Sequence, residues 1–298
     1  MRNLLSGSHE TLSKKAACLR LTAASLAESM KLGGFRSLYR GQGVDFCGVR
    51  EYLRGDDVRA IDWNVTARMG RPFVKLFEEE RELQLFLIVD RSASMFVGGG
   101  TRTKYEAAAE AAALLTLAAE WNGSPVGAVF FDGAIGFSCA PESGRNRTML
   151  LLSRLDEASR IESGSVLGNA IAGAARLLKN HAVVFVLSDF RSAGWEEPFR
   201  LLAQKNEAVA VRISDAALPE AGALPCIDGE TGVRTVLPTN SAPCRAAWSD
   251  FDRRKASRIQ DFCFRHGAGF LSLSTEDDSF RALSAFFAVK GRPQTAGR

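Results

Sequence analysis

From Leu83 onward the chain alternates short apolar runs with longer stretches of helical periodicity. The runs Leu83 to Val89, Val126 to Phe131, Ile135 to Cys139, Ala182 to Ser188, Ala208 to Ile213 and Gly269 to Leu273 predict strands. Between and after them, apolar recurrence predicts helices over Lys104 to Trp121, Asn146 to Ala158, Leu167 to Lys179, Glu196 to Lys205, Ala242 to His266 and Asp278 to Phe287. Strands that are apolar along their whole length have no solvent face, so the alternation predicts a mainly parallel, doubly wound α/β sheet with helices on both faces. The connection at Asp132-Gly133 is short enough for a hairpin, which predicts one antiparallel edge strand.

The rest of the pattern is less regular. Leu12, Ala16, Leu19, Ala23, Leu26 and Met30 recur at helical spacing and stop at Gly33-Gly34, predicting an amphipathic helix over about Glu10 to Met30. From Phe35 to Glu82 the chain is rich in Gly, Arg and Asp, with short strand-like pieces such as 73–77. Residues 1–82 are therefore expected to form an N-terminal helical and irregular extension, 83–290 the main domain and 291–298 a flexible tail. Tyr52, Trp63 and Phe77, large apolar groups among charges, are expected to anchor the extension. Between Leu218 and Pro238 the pattern predicts a β-hairpin protrusion, open to reading as a surface ornament or as a binding loop.

Composition supports a sizeable core: 298 residues are 46% hydrophobic. The formal charge of +4 arises from 38 basic and 34 acidic residues interleaved along the chain, with no basic block carrying aromatics, which argues against nucleic acid as a partner. Six scattered cysteines show no C-x-x-C and no histidine at zinc spacing, so reduced thiols and a cytoplasmic location are expected. No apolar run is long enough for a membrane span, and no basic region followed by a signal-peptide core opens the sequence.

Candidate chemistry begins where the first strand ends. Asp90-Arg91-Ser92-Ala93-Ser94 places one carboxylate and two hydroxyls beyond Leu85-Phe86-Leu87-Ile88-Val89. Oxygen-only donors suit Mg²⁺, Mn²⁺ or Ca²⁺, and ligands of open α/β sheets gather beyond the carboxyl ends of strands. A helix start is the competing explanation, since Asp and Ser are also common turn and cap residues. Two further segments bear on the choice: Gly164-Ser165-Val166-Leu167-Gly168-Asn169-Ala170-Ile171, with a hydroxyl at a helix mouth, and Val183 to Asp189, an apolar run ending in a carboxylate.

In that order the three segments resemble the metal-ion-dependent adhesion site of von Willebrand factor A-type domains. The resemblance implies that Ser92, Ser94 and Ser165 ligate Mg²⁺, or Mn²⁺ or Ca²⁺ in its place, through hydroxyls, with Asp90 and Asp189 bound directly or through water. Ser165 stands where that family usually has Thr; it keeps the oxygen but loses the methyl that restricts the rotamer, so weaker binding is expected. Upstream, Gly41 to Phe46, Val49 to Trp63, Ala67-Arg68 and Val74 to Arg81 resemble the signature of the bacterial family called domain of unknown function fifty-eight, DUF58. This resemblance implies a von Willebrand A-like fold and frequent pairing with an AAA+ ATPase of the MoxR type.

Enzyme readings are weaker. The chain holds three histidines, His9, His181 and His266, and no G-x-S-x-G elbow, which argues against a Ser-His-Asp hydrolase. Gly98-Gly99-Gly100-Thr101 matches neither G-x-G-x-x-G nor G-x-x-x-x-G-K-[ST], so it reads as a flexible loop rather than a nucleotide cradle. Asp56, Asp57 and Asp62 admit a second metal, but their arginine neighbours favour ion pairs and turn bonding. Two carboxylates and three neutral hydroxyls would leave a divalent ion electron-poor and able to accept a partner's Asp or Glu. The expectation is a non-catalytic interaction module, with a metal-dependent phosphoesterase using Asp90 and Asp189 as the alternative.

Overall fold

The computed structural model describes residues 45–54, 56–78, 84–96, 102–157, 165–215, 222–227 and 234–290. The predicted helix over Glu10 to Met30, the glycines 98–100, the hairpin turn 228–233 and the tail 291–298 lie outside these residues. The described residues fall into two compact units, which divide between Glu82 and Leu83.

In the smaller unit, β1 (Asp45–Glu51) pairs antiparallel with β2 (Phe73–Glu78), and α1 (Trp63–Met69) lies between them in sequence. Periodicity missed α1 because seven residues span too few turns to show it. Its caps are legible nonetheless. Asp62 accepts from Asn64 N and Val65 N at the start, and Gly70 ends the helix at φ 68°, a left-handed conformation that favours glycine. Asp57 caps the 3-10 turn Val58–Ala60 in the same way, and Asp56 pairs with Arg50, so the acids of this segment go to turns and ion pairs. Trp63, which opens α1, is 68% exposed and Tyr52 half-buried, so neither forms a buried core within this unit.

The larger unit is built on a six-stranded sheet. In chain order come β3 (Gln84–Asp90), α2 (Ala93–Phe96), α3 (Lys104–Trp121), β4 (Val126–Phe131), β5 (Ile135–Glu142), α4 (Arg145–Asp156), α5 (Leu167–Leu177), β6 (Ala182–Ser188), α6 (Glu196–Lys205) and β7 (Glu207–Ser214). The hairpin β8 (Ala223–Ile227) and β9 (Arg234–Pro238) follows, then α7 (Ala242–Arg265), β10 (Gly269–Ser274) and α8 (Ser279–Lys290). The sheet order is β10-β7-β6-β3-β4-β5; every pairing is parallel except β4 with β5. The mainly parallel, doubly wound sheet with one antiparallel edge strand is thus present.

Side-chain alternation sorts the core into two layers. Leu85, Leu87 and Val89 of β3 face α3 and α8, while Phe86 and Ile88 face α5, α6 and the C-terminal part of α7. α3 is apolar around much of its surface, with Ala107, Ala108, Ala111, Ala112, Ala118 and Ala119 buried, as a helix enclosed on several sides must be. The order reverses between β3 and β6: from β3 the chain moves to β4 on one side, and from β6 to β7 on the other. That switch point leaves a crevice beyond the carboxyl ends of the two strands. Asp90 closes β3 and Ser188 closes β6.

Candidate metal centre

Three loops meet at this edge. Arg91 N donates to Phe131 O at 2.6 Å, tying the β3 loop to the end of β4, and Val166 N donates to Asp132 O at 2.9 Å, tying the Ser165 loop to the same place. A Cβ on Gly168 would stand 2.8 Å from Gly194 O, so the backbone at the start of α5 lies hard against the loop that follows Asp189. Glycine is required there by close approach rather than by φ.

Asp90, Ser92 and Ser94 form one tight turn. Ser92 N donates to Asp90 Oδ1 at 2.9 Å, and the Ser92 and Ser94 hydroxyl oxygens lie 3.2 Å apart. Across the switch point Ser188 Oγ donates to Asp90 Oδ2 at 2.5 Å and accepts from Phe190 N at 2.9 Å. Asp90 is almost wholly buried; burial first, and then the neighbouring Asp189 charge, push its pKa up to about 6, against the hydrogen bonds from Ser188 and Ser92.

Asp189 behaves differently. Burial would raise its pKa, but Lys104, followed by Arg191 and Lys255, overcomes that and holds it below the usual carboxylate range. Lys104 Nζ donates to Asp189 Oδ2 at 2.8 Å and lies 3.5 Å from Asp215 Oδ2; its side chain is 2% exposed. The edge therefore carries a covalently attached cation beside its second carboxylate. Lys104 escaped the sequence analysis as a site residue. A signal was present, because a lysine in the first turn of a helix opposes the macrodipole and asks for an anionic partner. Thr103 and Glu106 form a reciprocal capping box around it, which fixes where α3 begins and hence where the ammonium stands. Ser188, the other missed member, was hidden as the last residue of an apolar run.

The backbone after Asp189 is unusual: Phe190 has φ 53°, a left-handed conformation that is an outlier for a bulky residue and costs about 1 to 3 kcal/mol. Two features offset it. Its N–H is bonded to Ser188 Oγ, and its ring packs edge-on to Trp195 with centroids 4.9 Å apart. After this turn the Arg191 N–H donates back to Asp189 Oδ1 at 3.2 Å.

Ser165 Oγ is buried and has no hydrogen-bond partner among the described residues. A buried, unmated hydroxyl costs about 1 to 3 kcal/mol, and it sits on the loop bonded to Asp132 beside the β3 turn. With the Ser94 hydroxyl, 3.2 Å from that of Ser92, and the Ser92 hydroxyl, which also bonds Asp90, it supplies the kind of neutral oxygens that fit a hard cation. The carboxylate half of the set is less open, since Lys104 already balances Asp189.

The family model described as "Protein of unknown function DUF58" matches residues 48–258, most of the chain. The chain belongs to the DUF58 family. An uncharacterized protein of Mycobacterium tuberculosis (strain ATCC 25618 / H37Rv) is 30% identical over 296 residues, covering 95% of this DUF58 chain and 92% of its own. Among solved structures, the conserved hypothetical protein BatB from Bacteroides thetaiotaomicron aligns with a TM-score of 0.47 at 16% identity, over 70% of this chain and 98% of BatB. The SpRpn10 VWA domain aligns with a TM-score of 0.41 at 12% identity, over 69% and 94%. The architecture of this DUF58 chain rests on its own strand order. Among its described residues no helix is long and apolar enough to cross a membrane.

Proposed function

We propose that this chain is a non-catalytic protein-interaction module whose sheet edge holds a divalent cation, Mg²⁺ or in its place Mn²⁺ or Ca²⁺, for gripping an acidic residue of a partner. Asp90, Ser92, Ser94 and Ser165 would hold the ion, with Asp189 contributing from beyond Lys104. The observation that supports this reading is the unmated, buried Ser165 hydroxyl on the loop whose Val166 N–H bonds Asp132 O, next in sequence to Phe131, whose carbonyl ties down the loop of Asp90, Ser92 and Ser94. When bound, the ion supplies a Lewis-acidic coordination position that a carboxylate can fill. The chain's own residues orient the donors: Ser188 and the Ser92 amide hold Asp90 in place, and Lys104 neutralises Asp189 so that the edge does not repel an incoming anion.

The phosphoesterase alternative has less support. Among the described residues no third carboxylate, histidine or cysteine joins Asp90 and Asp189 in a group able to hold a metal, whereas metal-dependent hydrolysis calls for more anionic ligands and a group to activate water. For the partner we propose a MoxR-type AAA+ ATPase, on the strength of membership in DUF58, with assembly or maturation of other proteins as the shared task.

The test has two readouts. Millimolar Mg²⁺ should raise the melting temperature of the wild-type chain and not of Asp90→Ala, by linkage to the folded state. A MoxR-type ATPase from the same genome should co-purify in Mg²⁺ and be released by EDTA. No thermal shift together with chelator-insensitive capture would sink the metal.

A further inference from the structure

α7 keeps most of its length outside the apolar core. Of its 24 residues, Ile259 and Cys263 are buried, both in the last two turns. The preceding four turns present Phe251, 61% exposed, and Trp248, half-buried, beside Arg254 and Arg258, whose side chains are each 83% exposed. These turns are held against the sheet by the bond of Asp252 to the buried Arg212 of β7, which leaves Phe251, Arg254 and Arg258 displayed on the outer face.

Between these turns and the loop after Asp189 runs a cleft of about 760 Å³. Its floor carries Trp195 and Phe262, which meet edge to face at 5.1 Å. Trp248 and Phe251 form the wall, and the cleft reaches Ser94 and Phe190 at the sheet edge, so it is continuous with the candidate metal centre. The charged residues lining it are Arg191, Arg254, Lys255, Arg258 and Arg265 against one carboxylate, Glu196. Neutralisation within the chain is partial: Arg191 reaches the buried Asp189 at 3.4 Å, while Arg258 reaches Glu196 at 3.8 Å and Arg254 reaches Asp250 at 4.0 Å, the last two long contacts between exposed groups. Burial lowers the Lys255 pKa to about 8, as expected where cations crowd a partly dry wall.

We infer that this cleft docks an acidic partner segment carrying large apolar side chains, laid along α7 so that one of its carboxylates reaches the sheet edge. The inference rests on the interaction reading above and names the chemistry of the partner surface. Charge complementarity calls for Asp and Glu, and the aromatic floor calls for Leu, Phe or Trp between them. Nucleic acid fits less well. The floor rings are turned edge to face into one another, and Arg191 lies over the Trp248 ring at 5.9 Å, which leaves little flat aromatic surface for base stacking.

The experiment uses the full chain and a fluorescein-labelled synthetic peptide of Glu residues interspersed with Leu and Trp. The controls are a peptide of equal charge with Ser in place of Leu and Trp, and an oligothymidylate. The first peptide should bind, the Ser control about tenfold more weakly, and the double reversal Arg254→Glu with Arg258→Glu should weaken binding about tenfold or more. Phe251→Ala, which removes an exposed ring, should weaken it several-fold without altering the melting temperature. Absence of peptide binding, equal binding of the Ser control, an unaffected double reversal, or tighter reversal-sensitive binding of the oligonucleotide would each overturn the proposal. Asp90→Ala separates the two readings. If it retains peptide affinity while the reversal loses it, the cleft stands and the metal grip falls; if it or EDTA abolishes binding while the reversal does nothing, the metal grip stands and the cleft falls.

Discussion

Two ion pairs of nearly equal length divide this chain's electrostatics. Arg50 and Asp56 in the small unit meet at 2.6 Å with side chains 38% and 20% exposed, whereas Lys104 and Asp189 at the sheet edge meet at 2.8 Å with 2% and 5%. The first joins residues 6 apart in a turn, and water screens it; the second joins residues 85 apart across the switch point, where little water competes. Bond length says nothing about their weight. Burial decides that removing one partner of the edge pair strands a charge, while removing one partner of the turn pair returns the other to solvent.

The sharpest way to break this contrast is Lys104→Met. It should cost about 3 kcal/mol in urea unfolding, because Asp189 loses its buried partner and keeps the half-exposed Arg191 at 3.4 Å. Arg254→Met, at an exposed cation, should stay within about 0.5 kcal/mol. Equal effects would mean that the edge is wetter than its burial indicates.

Gly168→Ala comes next. Its Cβ would meet Gly194 O at 2.8 Å, so it should destabilise by about 1 to 3 kcal/mol and, by parting the Ser165 and Asp189 loops, reduce any Mg²⁺-induced rise in melting temperature. A neutral effect on both would show that the loops are not mutually positioned.

Ser165→Ala should act with opposite signs in two conditions. In EDTA it removes an unmated hydroxyl and should stabilise by about 1 kcal/mol; in Mg²⁺ it should abolish the thermal shift. Destabilisation in EDTA would assign Ser165 an ordinary structural hydrogen bond.

The smallest effect belongs to the small unit. The Arg50 hydrogen bond lowers the Asp56 pKa to about 2, below its unfolded value. A depressed carboxylate contributes stability that is present above the unfolded pKa and is lost as pH falls through the folded one. Asp56→Asn should therefore flatten the wild-type loss of stability between about pH 4 and pH 2, followed by circular dichroism, while leaving neutral-pH unfolding little changed. An unaltered acid limb would show that the pair does not form in solution.

Legibility followed the range of the interactions. The sheet strands, the longer helices of the larger unit and the antiparallel edge could be read because burial imposes its own period on neighbouring residues, whether the solid apolar run 183–187 or the Ala-rich face of α3, whereas the four-residue α2 was too short to show one. Asp90, Ser92 and Ser94 were legible because their turn is local, and α1 was missed although Asp62 and Gly70 marked both of its ends. What the chain's order determined is which residues are apolar, where the caps fall, and that strands 84–90 and 182–188 each end in polar groups. Only the tertiary structure decided that Lys104 balances Asp189 and that Ser188 holds Asp90. These depend on which carboxyl ends the parallel pairing of β3 with β6 brings side by side, and a contact between residues 85 or 98 positions apart leaves no period in the sequence.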